Sequence, residues 1–170
     1  MELLDRLFEK MVDYYRGDPR RIQHFVKVHG FAALIGREEG LSPEEQFLLE
    51  AAAYVHDIGI RPAEEKYGAC GGKLQEQEGP PAAEKMLKEL GFAPKDRQRI
   101  CWLVGHHHTY RDIKGMDYQI LVEADFLVNL YEDQAGPQAV RAAGERIFRT
   151  AAGILSRSPF SLYKIYQLSL

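Results

Sequence analysis

The stretch Ala51-Ala52-Ala53-Tyr54-Val55-His56-Asp57-Ile58-Gly59 runs an apolar segment into an adjacent histidine and aspartate. Burying an imidazole beside a carboxylate costs several kcal/mol unless something compensates both, and a divalent cation held by the two is the commonest compensation. The pair therefore reads as metal-ligating, against the plainer alternative of a hydrogen-bonded His-Asp at a helix end. Support lies on both sides. Upstream is His24, within Arg21-Ile22-Gln23-His24-Phe25-Val26-Lys27-Val28. Downstream are His106-His107-His108 and then Leu121-Val122-Glu123-Ala124-Asp125-Phe126-Leu127, a second apolar run interrupted by an acid. Imidazoles and carboxylates in this order suit a divalent metal and the hydrolysis it assists.

These side chains need helices to carry them. Apolar residues Phe25, Val28, Phe31, Ala32 and Ile35 recur at three- and four-residue intervals around His24. Helices are predicted over 2–16, 20–39, 43 to the His-Asp pair, 80–90, 94–108, 116–133, 137–155 and 159–168. Gly17-Asp18-Pro19 closes the first, Gly40 stops the second, and Ser42 caps the third with Glu44 and Glu45 in its first turn. No window alternates with a two-residue period, so the fold class is all-α, without repeats. Four helices can converge their ligands in a bundle core. His29 lies five residues after His24, about 140° round the helix, and faces elsewhere.

From about Arg20 to about Glu132 the residues resemble the HD-domain superfamily of metal-dependent phosphohydrolases. The resemblance implies a compact multi-helix HD-domain bundle as a single domain over 1–170, with the core signature about 20–132 and C-terminal helices within 137–168. It also implies His24, His56, Asp57 and Asp125 as metal ligands. Glu78-Gly79-Pro80-Pro81-Ala82-Ala83-Glu84-Lys85-Met86-Leu87 resembles the family segment His-Pro-x-x-Gly-Ala-x-x-Leu-Leu, with Glu78 at the histidine position. A carboxylate there can still serve a second metal or act as a base; alternatively it is an acid at a helix N-terminus before Pro80 and Pro81. The His-His step of two-metal members fits in two registers, His106 with His107 or His107 with His108. The divalent ion is expected to be iron, manganese or another transition metal, one or two in number.

The longest interruption runs from Gly59 to Gly79. It is read as a glycine-rich loop over or beside the metal, whose backbone N–H groups can approach a phosphate. It lacks the fixed glycine-to-lysine spacing of a P-loop. Lys73, Arg61, Lys66 and Arg111 are the candidate cations for the phosphoryl oxygens. Asp57, Lys73 and Arg61 are the expected catalytic residues, Asp57 binding the ion and the two cations balancing charge. The expected function is hydrolysis of a nucleotide or another small phosphate ester or anhydride. No Gly-Tyr-Pro element follows the histidines, which disfavours the cyclic-dinucleotide phosphodiesterase branch. Two other classes compete: a di-iron oxygenase on an HD-type scaffold, which would consume oxygen, and a non-catalytic metal- or ligand-sensing module, which would turn nothing over.

The remaining features narrow the class. A chain of 170 residues suits one domain. A net charge of −3 argues against nucleic-acid polymers and membrane surfaces as partners, both of which need a dense basic face. The two cysteines, Cys70 and Cys101, form no disulfide framework. The start Met1-Glu2-Leu3-Leu4-Asp5 lacks a charged-then-apolar leader and no apolar run approaches bilayer length, so a cytoplasmic location is expected. Trp102, Phe92, Tyr163, Ile165, Tyr166 and Leu168 read as core or end packing, with a homodimer contact as the alternative. Glu64, Glu65, Asp96, Arg97 and Arg99 read as solvated faces.

Overall fold

In the computed structural model, residues 2–154 and 161–166 are described, and these are helices and turns. The chain is all-α. In order the helices are α1 (Leu3–Tyr14), α2 (Pro19–Glu38), α3 (Pro43–Val55), α4 (Ile60–Tyr67), α5 (Gly72–Leu90), α6 (Pro94–Val104), α7 (Met116–Glu132), α8 (Pro137–Arg146) and two single turns, α9 (Ala151–Ile154) and α10 (Leu162–Ile165). Of the expected C-terminal helices, 137–155 breaks after Arg146, and most of 159–168, with Leu168 and the Tyr163 side chain, lies outside the described residues.

The starts of α2 and α3 follow from local chemistry. Asp18 accepts from the Arg21 N–H ahead of Pro19. Ser42 and Glu45 form a reciprocal capping box, Ser42 N–H donating to Glu45 Oε2 at 3.0 Å. α3 and α7 are the most apolar helices and lie innermost. Ala51, Ala52 and Ala53 are fully buried, and α7 buries Ile120, Leu121, Val122, Ala124, Leu127 and Val128. α2 packs on both, α6 packs on α3, and α1 covers α3 with Leu7 and Met11. One apolar cluster runs from Leu7 to Leu162. No helix among the described residues is long and apolar enough to cross a membrane.

The segment 59–79 is not the expected loop. It forms α4 and the first two turns of α5, which continues through Pro80 and Pro81. The two prolines remove N–H donors to the Glu76 and Gln77 carbonyls without ending the helix. Two of its glycines serve close packing instead of a flexible turn: a Cβ on Gly59 would stand 2.5 Å from the Gln75 carbonyl oxygen and 2.7 Å from the Gly79 nitrogen. The start of α4 therefore presses directly on α5. Several residues read as solvated are also engaged: Glu64 with Arg21, Arg97 with Glu84, and Arg99 bidentately with Asp117 while its guanidinium covers Trp102.

Candidate metal centre

His56 and Asp57 sit in the turn just beyond α3, and that turn is held from outside. Tyr15 OH donates to the Asp57 carbonyl at 2.7 Å and Tyr14 OH to the Ile58 carbonyl at 3.1 Å, so the end of α1 fixes the pair. α2 brings His24 and α7 brings Asp125. His24 Nε2 lies 3.2 Å from His56 Nε2, 3.2 Å from Asp125 Oδ1 and 3.4 Å from Asp57 Oδ2. His56 Nε2 lies 3.5 Å from Asp57 Oδ2 and 3.6 Å from Asp125 Oδ1. His24, His56 and Asp125 are all buried.

The outer hydrogen bonds decide which ring nitrogen faces inward. His24 Nδ1 donates to Glu132 Oε2 (3.0 Å), His56 Nδ1 to the Ala53 carbonyl (2.8 Å) and His107 Nδ1 to the Val104 carbonyl (2.7 Å). A carbonyl or carboxylate only accepts, so each Nδ1 carries a proton and each Nε2 is the nitrogen turned inward, free to bind an ion once any proton on it is displaced. His107 Nε2, fully buried, has no hydrogen-bond partner and points at Asp57 Oδ1 from 3.4 Å. The inward Nε2 atoms of His24 and His56 thus meet Asp57 and Asp125, and that of His107 meets the other oxygen of Asp57, with no lysine or arginine among them.

Charge follows the same logic. Burial opposes a proton on His56, yet Asp57 and Asp125 overcome it and push its pKa up to about 9. Burial likewise opposes His24, but Asp125 raises it. Burial also opposes the charge on Asp57 and Asp125, but neighbouring imidazoles hold both well below the usual carboxylate range. The cluster demands positive charge, which protons supply when a cation does not. Neighbouring donor atoms around a shared ion at about 2.1 Å stand roughly 3.0–3.4 Å apart, close to the spacings here. The residues present fit a divalent metal.

A second group shares Asp57. Asp57, His107 and His108 offer ligand atoms near one another. His108 Nε2 meets Gln75 Oε1 and its Nδ1 meets Tyr110 OH, both at 3.2 Å. Burial and the neighbouring His107 lower its pKa to about 4, which keeps it neutral.

The structure separates the sequence candidates. His24, His56, Asp57 and Asp125 come together. Of the two histidine registers it is His107 with His108 that faces Asp57. His106 does not: its Nδ1 donates to the Trp102 carbonyl at 2.6 Å and its ring stacks on Trp102, because α6 ends at Val104 and the three histidines occupy the following turn. Glu78 joins neither group. It is bound by Lys66, by Tyr67 OH at 3.1 Å and by Gln77, and the Lys66 bond lowers its pKa. Arg61 also lies elsewhere, pairing with Glu65, donating to the Tyr14 carbonyl and lining a different cavity. Lys73 and Arg111 line a neighbouring cavity, not the one holding His24.

The cluster opens on a cavity of about 480 Å³ to which the 59–79 segment contributes Ile60, Cys70 and Gln75. Its walls also hold residues outside the ligand set. Arg20 has no partner among the described residues, and Arg21 is fixed between Asp18 and Glu64. Asn129 Nδ2 donates to Asp125 Oδ1 at 2.8 Å, and Glu132 links His24 to Lys27 at 2.6 Å. Helical spacing carried the signal for these: Arg20 to His24 and Asp125 to Asn129 are four apart, Asp125 to Glu132 seven. Tyr14 and Tyr15 gave no local signal.

No curated protein and no solved structure matches this chain. The HD domain family does match, over residues 21–150, and that span starts one turn before His24 and encloses His56, Asp57, His107, His108 and Asp125. A match across well over half of the chain, centred on the convergent histidines and aspartates, makes this protein a member of the HD-domain superfamily, whose members are mostly metal-dependent hydrolases.

Proposed function

We propose that the protein is a metal-dependent phosphohydrolase acting on a small phosphate ester or anhydride, with nucleotides the leading substrate class. One observation carries the reading: buried imidazole nitrogens and carboxylates, with no lysine or arginine among them, open directly on a cavity whose wall holds the unpaired Arg20. His24, His56, Asp57 and Asp125 would hold the ion. A divalent metal bound there supplies Lewis acidity to a phosphoryl oxygen and acidifies bound water.

The protein's own groups do the rest. Glu132 and the Ala53 carbonyl hold His24 and His56 in the tautomers that present Nε2. Asn129 keeps Asp125 Oδ1 turned toward the cluster. Asp57 spans both groups, Oδ2 facing His24 and His56 and Oδ1 facing His107. The wall carries four acids, Asp18, Asp57, Asp125 and Glu132, against two arginines. An anion therefore enters only with metal charge present, and Arg20 is the free cation to meet it.

Purified protein loaded with manganese, iron or zinc and screened for phosphate release across nucleotides and simple esters tests this. Release that disappears with chelator and in Asp57→Ala is the expected result. No release with any metal, particularly alongside oxygen consumption by the iron-loaded protein, would overturn it.

A further inference from the structure

His108 stands between two cavities. It lines the candidate metal cavity and also a second cavity of about 390 Å³ with Lys73, Thr109, Tyr110 and Arg111 in its wall. The two differ in charge. In the metal cavity only Arg20 is a free cation, facing a wall of acids. In the neighbour, Lys73 and Arg111 are both exposed and without a hydrogen-bond or ion-pair partner among the described residues. Its single acid, Glu76, accepts from His108 N–H at 3.0 Å and Thr109 Oγ1 at 2.9 Å, so this wall sets two cations against one acid. Gly72, in the second cavity's wall, packs directly on the shared residue: a Cβ there would come within 2.9 Å of the His108 ring.

We propose that this second cavity is the seat for another anionic group of the substrate, so that the preferred ligand is a phosphoanhydride or bisphosphate whose reacting phosphoryl sits at the metal cluster. The proposal rests on the phosphohydrolase reading for which phosphoryl group reacts. Charge distribution directs the choice. The metal cavity can neutralise one phosphoryl group with its ion and Arg20, whereas a second dianionic group there would face Asp18 and Glu132. Across His108 two unpaired cations meet it instead, the arginine with a planar fork suited to two phosphate oxygens. A single phosphate ester leaves this seat empty and gains nothing from it.

Calorimetric titration of the metal-replete protein with inorganic triphosphate and with inorganic phosphate, the divalent ion kept in excess over ligand, reads this out. Triphosphate should bind at least tenfold tighter than phosphate. Lys73→Glu and Arg111→Glu should each weaken triphosphate binding by roughly tenfold to a hundredfold, the scale of one charge-assisted contact, and phosphate binding by less than threefold. Lys73→Ala and Arg111→Ala should show the same selectivity with smaller losses. Equal losses for both probes, or none, overturn the second seat. The phosphohydrolase reading fails separately: if the wild type releases phosphate from no ester while charge reversal still weakens triphosphate selectively, the anion seat stands and the hydrolytic assignment falls.

Discussion

The two ligand groups that share Asp57 differ in how completely they are set. Around His24 and His56 each inward nitrogen is committed by a bond on the far side of its ring, to Glu132 and to the Ala53 carbonyl, and both carboxylates stay ionised. Around His107 and His108 only His107 is fixed in this way; His108 spends both nitrogens on Gln75 and Tyr110 and remains neutral. Glu78 belongs to neither group and is turned away to Lys66 and Tyr67. The contrast teaches that ligand type alone does not make a strong ion site. A committed lone pair does, and the first group has more of them. Ion binding should therefore be tight at the first group and weak at the second.

The harshest way to break the comparison removes what the groups share. Asp57→Ala takes a carboxylate from both and should lower metal affinity by a hundredfold or more. The protein should remain helical by circular dichroism, since the apolar core lies mostly elsewhere. Full metal occupancy of this variant by elemental analysis would end the assignment.

Next in size is the outer shell. Glu132→Gln keeps the shape but weakens the partner of His24 Nδ1, and loss of such a partner commonly lowers metal affinity 10- to 100-fold. His108→Ala should reduce total metal bound at high ion concentration and leave the tight site within about threefold. If His108→Ala instead weakened the tight site as much as Glu132→Gln does, the ranking of the two groups would be wrong.

A smaller, graded effect comes from pH. In the ion-free protein His56 is raised from its usual 6.5 to about 9, so its proton contributes stability that is fully present below about pH 6.5 and lost as pH rises toward 9. Metal binding must displace that proton, so affinity should climb with pH through this window, roughly tenfold per unit for one proton released. Thermal melts with chelator and with excess metal should thus diverge as pH rises from 6.5 to 9. Parallel curves would show that His56 does not exchange a proton for the ion.

The sequence disclosed the parts of this site that announce themselves locally. His56, Asp57 and Asp125 interrupt apolar runs, and the amphipathic repeat around His24 marks its helix. Helix limits near Pro19, Ser42 and Pro43 were legible because caps act within one turn. What stayed hidden depends on distance in space. Glycines at 59 and 79 look like loop punctuation until one helix is seen pressed on another. Arg61 looked like a phosphate ligand because it follows the His-Asp pair so closely, yet α4 directs it to Glu65 and the Tyr14 carbonyl. Tyr14 and Tyr15 are over forty residues from the turn they secure.

The register of the three histidines turned on where α6 stops, and this yields the smallest expected effect. His106 stacks on Trp102 with ring centres 4.1 Å apart and donates to its carbonyl, and Tyr118 OH in turn donates to the His106 carbonyl at 2.7 Å. Its side chain supports the turn through Trp102 and belongs to neither ligand group. His106→Ala removes one ring stack and one half-exposed hydrogen bond while leaving the backbone acceptor for Tyr118. Stability should fall by about 1 kcal/mol, a lowering of Tm by roughly 2–4 °C for a chain of this size. Metal affinity should stay within twofold of wild type, whereas His107→Ala should lower it at least tenfold at the second group. The pair of variants separates packing from ligation on adjacent residues. A metal defect in His106→Ala equal to that of His107→Ala would mean that the turn rotates in solution and brings the other histidine register to Asp57.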